Sequence, residues 1–331
     1  MRRPEALRLY KDSEANPKVL YRLADGLRRR YFGNKVHLCS IINAKSGNCS
    51  QDCRFCSQSS CHSAKIQAYP LVSADKIVEC AQTASRIKAH SFGIVTSGDC
   101  IDTLKELPQI CDAIRKIKKH GIINPDASLG ALTKDKAREL KKAGLVRYHH
   151  NFETSEEFFP NICTTHSYRD RIKTVEIAKE AGFEVCCGGI FGMGETIEQR
   201  IDFAFTLKDL DVDSIPLNFL IPIPGTPLEN LKPLGAREVL TTIAIFRVIL
   251  PDKEIKVCAG REANLKDYQP EIFQAGASGM MIGGYLTQAG NPPEEDLRML
   301  EKLGLEPAKP YAYGDRFNGI STQKHKPVPT V

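Results

Sequence analysis

The chain has 331 residues, of which 42% are hydrophobic and 26% charged, and its formal net charge is +6. This is ordinary globular composition, and a chain of this length buries enough surface to fold without disulfide bonds. Its 12 cysteines are too sparse for a disulfide scaffold. We therefore expect free thiols in the reducing cytoplasm, where they are available for metal binding or catalysis.

The sequence also argues against secretion, a membrane span and nucleic-acid binding. The N-terminal stretch MRRPEALRLYKDSE lacks the apolar segment of a signal peptide. The longest apolar run, TTIAIFRVIL, covers residues 241–250 and is interrupted by Arg247, so it is far too short to cross a bilayer. No basic stripe is interleaved with aromatic residues, and we therefore expect no nucleic-acid partner.

A repeated pattern organises the chain. A helical stretch, usually rich in lysine, ends in glycine and is followed at once by a β-branched, apolar run, as in KKAG followed by LVRYHHNF. Glycine after a basic last turn is typical of a helix C-cap, because glycine adopts positive φ at little steric cost. The predicted cap glycines are Gly121, Gly144, Gly182 and Gly276. An apolar run directly after such a cap indicates a strand buried on both faces, as in a parallel sheet.

Eight strands are predicted in this way, separated by helical patterns. They lie at 36–43, 91–97, 123–129, 145–152, 183–190, 214–220, 255–259 and 279–283. Eight βα units predict a (β/α)8 TIM-type barrel, with a doubly wound open sheet as the alternative. We expect one domain over residues 1–331 with its core at about 35–305. The termini, 1–15 and 321–331, are expected to be peripheral or disordered.

A cysteine triplet follows the first predicted strand. The segment NCSQDCRFCSQSS carries Cys49, Cys53 and Cys56 in a polar loop at the C-terminal mouth of the barrel, where barrel enzymes place their chemistry. Three thiolates on one short loop can hold three corners of an iron–sulfur cube and leave the fourth iron open to a small molecule. The alternative is a closed zinc site that uses Cys61 or His62 as its fourth ligand.

With Phe55 before its last cysteine, this motif resembles the signature of radical S-adenosylmethionine enzymes. Four further segments, HHNFETSEEFFPNICTTHSYRDRI, CGGIFGMGETIEQR, PLNFLIPIPGTPL and AGRE, follow in the order found in the biotin synthase family. The resemblance covers roughly residues 35–305. It implies a (β/α)8 barrel, a [4Fe–4S] cluster whose open iron binds S-adenosyl-L-methionine, and sulfur insertion into dethiobiotin. The alternatives are another radical enzyme on the same barrel, such as an isomerase or a hydrogenase-cofactor maturase, or a non-enzymatic metal-binding protein.

The resemblance also implies roles for four polar residues. Asn151 and Glu153 fall where the family contacts substrate and cofactor, and the Glu153 carboxylate suits the ribose hydroxyls because it accepts two hydrogen bonds. Arg171 matches the arginine that meets the methionine carboxylate, and Asn218 lines the pocket for substrate and cofactor. Taken alone, each has a structural interpretation as a strand-end amide or a solvated helix residue. The implied partners are a low-potential electron donor such as flavodoxin or ferredoxin, and a second copy in a homodimer.

The chain departs from the family at the auxiliary cluster. The usual sacrificial [2Fe–2S] cluster is held by three cysteines and an arginine. Two of those cysteines fall here at Gly93 and Asp126, the arginine falls at Lys256, and Cys186 alone is retained. The sequence therefore places the sulfur source of the family reaction in doubt.

Strand geometry suggests a replacement for the missing ligands. Residues two apart share a face of a strand, so Cys258 points with Lys256 into the barrel, and Cys39 on the first strand can face the same cavity. With Cys186 they form a cage of three thiolates, which predicts an auxiliary iron–sulfur cluster of the 4Fe type with an extra sulfide to donate. The alternatives are packed core thiols, or Cys187 in place of Cys186 if the register slips by one residue.

Overall fold

The computed structural model describes residues 1–310, and its strands close into one parallel barrel. The strands are β1 (Lys35–Lys45), β2 (Ser91–Thr96), β3 (Asn124–Ser128), β4 (Arg147–His149), β5 (Glu184–Cys186), β6 (Gly189–Phe191), β7 (Ser214–Phe219), β8 (Glu254–Val257) and β9 (Gly279–Met281). Strands β5 and β6 are two halves of the fifth predicted strand. Each barrel strand pairs in parallel with its neighbours, and β9 pairs with β1. The (β/α)8 prediction is therefore confirmed, and the open doubly wound sheet is excluded.

The helices surround this barrel. They are α1 (Arg3–Ala15), α2 (Pro17–Phe32), α3 (Ala74–Arg86), α4 (Glu106–His120), α5 (Lys134–Ala143), α6 (Tyr168–Glu180), α7 (Ile197–Asp209), α8 (Ala236–Ile249), α9 (Arg261–Leu265) and α10 (Pro293–Lys302). The four predicted cap glycines all have positive φ. A short strand β10 (Glu306–Pro307), which the sequence pattern did not predict, pairs with the start of β1. Most of the apolar run 241–250 lies in α8, and no described helix is long and apolar enough to cross a membrane.

The N-terminal residues are ordered on the outside of the barrel. Within residues 1–15, which the sequence predicts to be peripheral or disordered, Arg3–Ala15 form helix α1, which contacts α2, α7 and α8. Ala6 and Tyr10 of this helix are buried against those neighbours. The C-terminal stretch 321–331 lies outside the described residues.

Charged side chains close the N-terminal end of the barrel interior. Arg147 Nη2 lies 2.8 Å from Glu184 Oε2 and 3.1 Å from Glu254 Oε2. His37 Nδ1 lies 3.1 Å from the same Glu254 oxygen. Burial opposes ionisation of Glu254, but Arg147, Lys256 and His37 hold the pKa of this carboxyl well below its usual range. This charged group lies at the N-terminal end of the strands. The cysteine triplet lies at the opposite, C-terminal end, which is the mouth of the barrel.

Candidate active site

The cysteine triplet lies on a tightly turned loop after β1. The Cys49 N–H donates to the Gln58 carbonyl at 3.1 Å, and the Cys56 N–H donates to the Cys53 carbonyl at 2.9 Å. Gly47 enters this loop at a φ of 74°, and a Cβ there would lie 2.7 Å from Ala68 Cβ. Cys53 is buried, Cys49 and Cys56 are half-buried, and burial raises the pKa of Cys56 to about 11. These are three thiols of one loop, and binding of iron would displace their protons.

A second segment, residues 152–166 after β4, is hydrogen-bonded to this loop. The Asp52 carboxylate accepts the backbone N–H groups of Thr164 and Thr165 at 2.9 and 3.2 Å, and it accepts both threonine hydroxyls as well. Burial opposes the ionised form, but these hydrogen bonds hold the pKa of Asp52 below its usual range. The Arg54 N–H also donates to the Ile162 carbonyl at 2.9 Å. We call Asp52 with Thr164 and Thr165 the clasp, because it joins the two segments.

Cys163, for which the sequence predicts no role, lies beside the triplet. Its sulfur is 3.8 Å from Cys53 Sγ and 3.1 Å from Asp52 Oδ1. The hydrogen bond between the two sulfurs, together with burial, raises the pKa of Cys53, and the same bond lowers the pKa of Cys163 to about 6. The feature that could have indicated this contact is the spacing of Cys163 and His166 in the segment NICTTHSYRDR.

The polar residues implied by the resemblance meet on the same side of the barrel mouth. Arg171 Nη1 donates to the Asn151 carbonyl at 2.6 Å and lies 3.8 Å from Glu153 Oε1. Arg171 Nε donates to His166 Nε2 at 2.9 Å. Asn151 Oδ1 accepts the Gly188 N–H at 3.1 Å, which fixes the amide at the end of the fifth strand. The structure therefore brings Asn151, Glu153 and Arg171 together.

Glu153 has two features that favour a ligand-binding role. Its φ is 70°, a left-handed conformation that costs free energy in a residue other than glycine. Its Oε2 is buried and has no hydrogen bond within the described chain, and burial raises the pKa of this carboxyl. An orphaned carboxylate oxygen fits the hydroxyl donors of a ribose.

Asn218 is engaged by the barrel itself. Its Nδ2 donates to the Gly189 carbonyl at 3.1 Å, and its Oδ1 accepts the Ala259 N–H at 3.1 Å. The Asn218 amide on β7 is thus hydrogen-bonded to both neighbours of this strand, namely β6 at Gly189 and the residue Ala259 just after β8. One further N–H and one further lone pair remain for a ligand, since an amide has two donors and two lone pairs.

The cysteines of the proposed interior cage are all buried. Cys39, Cys186 and Cys258 are 3%, 1% and 1% exposed. The neighbouring Cys258 thiol lowers the pKa of Cys39, and the Cys39 thiol together with burial raises the pKa of Cys258. The pairing register explains why the two cysteines are neighbours, because Lys256 pairs with Gly279 while Met281, two residues further on, pairs with Cys39. Cys258, two residues beyond Lys256, therefore lies at the level of Cys39.

Cys186 and Lys256 complete this interior region. Cys186 Sγ lies 3.6 Å from Ser214 Oγ, and burial raises the pKa of this thiol. Burial opposes the ammonium form of Lys256, but Cys186, Glu254 and Cys39 raise the pKa of the amine well above its usual range. Cys187 packs in the hydrophobic layer between barrel and helices, whereas Cys186 does not belong to that layer.

Gly93 and Asp126, where the resemblance would place two cysteines, have different surroundings. A Cβ on Gly93 would lie 3.1 Å from Ile41 Cγ2, a close contact. Asp126 Oδ2 lies 3.2 Å from His149 Nε2, and both side chains belong to the interior of the barrel. Although burial opposes it, the hydrogen bond from His149 and the charge of Arg147 lower the pKa of Asp126.

Comparisons with known proteins place this geometry in a family. The model of the Radical SAM superfamily matches residues 44–207, and that of the Biotin and Thiamin Synthesis associated domain matches residues 216–306. The chain is 52% identical to the biotin synthase of Geobacter sulfurreducens over 299 residues, 90% of each chain. It is 52% identical to the biotin synthase of Trichlorobacter lovleyi over 305 residues, 92% of each chain.

Solved structures with the same fold are more distant in sequence. A methylornithine synthase superposes with a TM-score of 0.77 at 22% identity, covering 88% of this chain and 89% of that one. The FeFe-hydrogenase maturase HydG from Carboxydothermus hydrogenoformans gives 0.74 at 19% identity, covering 88% of this chain and 71% of that one. These two likenesses concern the fold alone. The curated relatives decide the family: the chain belongs to the biotin synthase family, whose members are radical S-adenosylmethionine enzymes that insert sulfur into dethiobiotin.

Proposed function

We propose that this biotin synthase family member holds a [4Fe–4S] cluster on Cys49, Cys53 and Cys56, and that it uses the cluster with S-adenosylmethionine to make biotin. This proposal rests on one observation: the triplet loop and the pair Glu153 and Arg171 lie at the same mouth of the barrel. Asp52 of the loop binds the segment after β4 that also carries Glu153, and Glu153 lies 3.8 Å from Arg171. The bound cluster supplies the electron that cleaves the sulfonium of S-adenosylmethionine. The remaining tasks, which are binding, orientation and exclusion of water, belong to side chains of this chain.

Arg171 and Glu153 are proposed to hold the two ends of S-adenosylmethionine. Arg171 presents its guanidinium beside the cluster loop, oriented by the Asn151 carbonyl and His166, and suits the methionine carboxylate. The unpartnered Oε2 of Glu153 suits the ribose hydroxyls. Arg171 Nη1 lies 3.8 Å from Glu153 Oε1, so one site presents a cationic group for the carboxylate end of the ligand and a carboxylate for its hydroxyl groups.

Asn151 and Asn218 are proposed to contact dethiobiotin, and Asn218 also the cofactor. Both amides are fixed by hydrogen bonds to backbone groups at the barrel mouth, so a ligand meets groups that are already oriented. A small apolar cluster lies on the same side of the barrel. Its members are Ile162, Met193, Leu220 and Leu228, with Phe55, Phe158 and Ile190 against them. Such a wall keeps water from the reacting carbons.

The sulfur atom is proposed to come from an auxiliary cluster on Cys39, Cys186 and Cys258. The support is the burial of all three thiols and the strand register, which places Cys39 and Cys258 at one level of the barrel. Three thiolates without an arginine suit a 4Fe-type cluster with one open iron better than the usual [2Fe–2S] cluster. The ammonium of Lys256, in the place of the family arginine, would offset part of the negative charge of such a cluster.

The test is anaerobic incubation of the reconstituted chain with a reductant, S-adenosylmethionine and dethiobiotin. We expect biotin, methionine and 5′-deoxyadenosine as products. Cys49→Ala, Cys53→Ala and Cys56→Ala should each abolish 5′-deoxyadenosine formation, because too few thiolates remain for a site-differentiated cube. Formation of 5′-deoxyadenosine at the unmutated rate by any of these variants would refute the assignment.

The electron donor and the oligomeric state are proposed from the family resemblance. The electron comes from a low-potential donor such as flavodoxin or ferredoxin, and the chain acts as a homodimer. It works as a single domain whose barrel core covers about residues 35–305. The reducing cytoplasm is the proposed compartment, because all twelve cysteines are free thiols.

A further inference from the structure

Three metal-binding side chains meet beside the triplet in an arrangement that a cube on Cys49, Cys53 and Cys56 does not require. Cys53 Sγ lies 3.8 Å from Cys163 Sγ, and Cys163 Sγ lies 3.3 and 3.8 Å from the two ring nitrogens of His166. Both cysteines are buried and His166 is half-buried. One ligand atom from each of the three residues lies within 4.8 Å of the other two. Two thiolates and an imidazole are donors that thiophilic divalent cations select.

The separations are those of a tetrahedral, mononuclear site. Two sulfurs bound to one zinc ion at about 2.3 Å are about 3.8 Å apart at the tetrahedral angle, and a bound sulfur and nitrogen are about 3.6 Å apart. The observed sulfur–sulfur separation is 3.8 Å, and Cys163 Sγ lies 3.8 Å from His166 Nε2, close to the second value. The free side chains therefore already hold the spacing that a metal ion needs.

The surroundings of His166 also suit a ligand. Its Nδ1 lies 2.6 Å from Gln51 Oε1, so this nitrogen donates its proton to the amide and Nε2 keeps the lone pair. A metal-bound histidine characteristically donates its other ring N–H to such an acceptor. Arg171 Nε now donates to Nε2, and a cation must displace it. Asp52 is already occupied by the clasp, which leaves the fourth position to water.

We propose that Cys53, Cys163 and His166 of the cluster-free chain bind one thiophilic divalent cation, such as zinc or ferrous iron. The site overlaps the cluster site at Cys53, so the cation and the cluster exclude each other. Two thiolates balance the charge of the cation. Occupation also releases Arg171 from His166, so in the cation-loaded chain the arginine that we assign to S-adenosylmethionine has lost one of the two hydrogen bonds that orient it.

Cobalt(II) is the first probe, added anaerobically to the full chain after removal of iron. The triple variant Cys39→Ala, Cys186→Ala, Cys258→Ala serves as the background, because it removes the interior thiols. We expect one tight site with the visible absorption of tetrahedral, thiolate-bound cobalt. Adding Cys163→Ser or His166→Asn should weaken binding about 100-fold, since each removes one of few ligands. Cys49→Ala, the matched control in the same loop, should bind as tightly as the background.

X-ray absorption of the zinc-loaded, unmutated chain gives a measurement that does not depend on the folding of a variant. We expect two sulfur ligands at about 2.3 Å and two nitrogen or oxygen ligands at about 2.0–2.1 Å. Three sulfur ligands would mean that the cation occupies the triplet or the interior thiols, and cobalt binding that is unchanged in Cys163→Ser would mean that it does not use Cys163; either result would overturn the proposal.

The same variant separates this proposal from the proposed function. Cys163→Ser keeps all three triplet cysteines, so it should still take up a [4Fe–4S] cluster from iron and sulfide. Zinc added beforehand should block that uptake in the unmutated chain and not in Cys163→Ser. Equal blocking in both chains would also overturn the overlapping site, whatever the outcome of the biotin assay.

Discussion

Glu153 shows how a single residue can be poised for a ligand at the expense of stability. It has a left-handed backbone conformation and a buried carboxylate oxygen without a hydrogen bond in the described chain. Burial raises the pKa of this carboxyl, so the folded chain binds its proton more tightly than the unfolded chain does. Stability is therefore lost as pH rises from the unfolded pKa through the folded one, and the full cost is present at neutral pH.

Glu153→Gln should accordingly stabilise the cluster-free chain at neutral pH. We expect the free energy of unfolding in urea to rise by about 1 kcal/mol at pH 7.5, with the gain shrinking towards pH 4.5. Glu156→Gln, at an exposed position of the same segment, is the control and should show no such gain. The Glu153 variant should also bind S-adenosylmethionine more weakly. A gain that is the same at both pH values would contradict the charge argument.

Variants of Asn151 and Asn218 can show whether these amides at the barrel mouth bind ligands or only stabilise the fold. Asn151→Ala and Asn218→Ala should lower biotin formation about ten- to a hundredfold, as expected for loss of a buried hydrogen bond of roughly 1–3 kcal/mol. Cluster content, measured as iron and by absorption, should stay near that of the unmutated chain. Asn161→Ala, at an exposed position, is the control. Loss of the cluster itself in the Asn151 or Asn218 variant would show that the amide is structural.

At the scale of elements, the regular parts of the fold were predictable and the irregular segment 152–166 was not. The strands follow from local features, namely glycine caps and apolar runs, which depend only on neighbouring residues. The contact between the cluster loop and Thr164 depends on Asp52, which lies 112 positions away in the sequence. No periodicity marks such a contact, so Cys163 and His166 stayed without a role until the structure placed them beside Cys53.

The clasp makes a prediction about this pair of segments. Asp52→Ala removes a carboxylate that accepts two backbone N–H groups and two hydroxyls. We expect a loss of about 1–3 kcal/mol in unfolding free energy and a faster loss of the cluster to a chelator. Asp75→Ala, in an exposed position at the start of α3, is the matched control. Cluster release at an unchanged rate in Asp52→Ala would show that the clasp does not support the triplet.

Along its axis, the whole barrel contains three regions of different chemistry. Charged pairs among Arg147, Glu184 and Glu254 close one end, and the cysteine triplet lies at the other. Between them lie buried thiols and the Lys256 ammonium, in an interior that the eight predicted strands enclose. Strand alternation predicted that Cys258 faces inward with Lys256, and Cys39 was expected to face the same cavity, but only the pairing register shows that the two cysteines lie at one level. Register across a closed barrel is a property of the whole chain, which is why the sequence alone could not supply it.

This arrangement makes a prediction about iron content. If the interior thiols hold a 4Fe-type cluster beside the one on the triplet, anaerobically reconstituted chain should contain about eight irons. Cys39→Ala or Cys258→Ala should reduce this to about four and abolish biotin formation, while reduction with S-adenosylmethionine still releases 5′-deoxyadenosine. Cys187→Ala is the matched control, because Cys187 neighbours Cys186 but packs in the outer hydrophobic layer. It should lower the thermal midpoint by leaving a small cavity, with the iron content unchanged. A chain that turns over dethiobiotin fully with only four irons would mean that the interior cysteines are packing residues, and the sulfur atom would have to come from elsewhere.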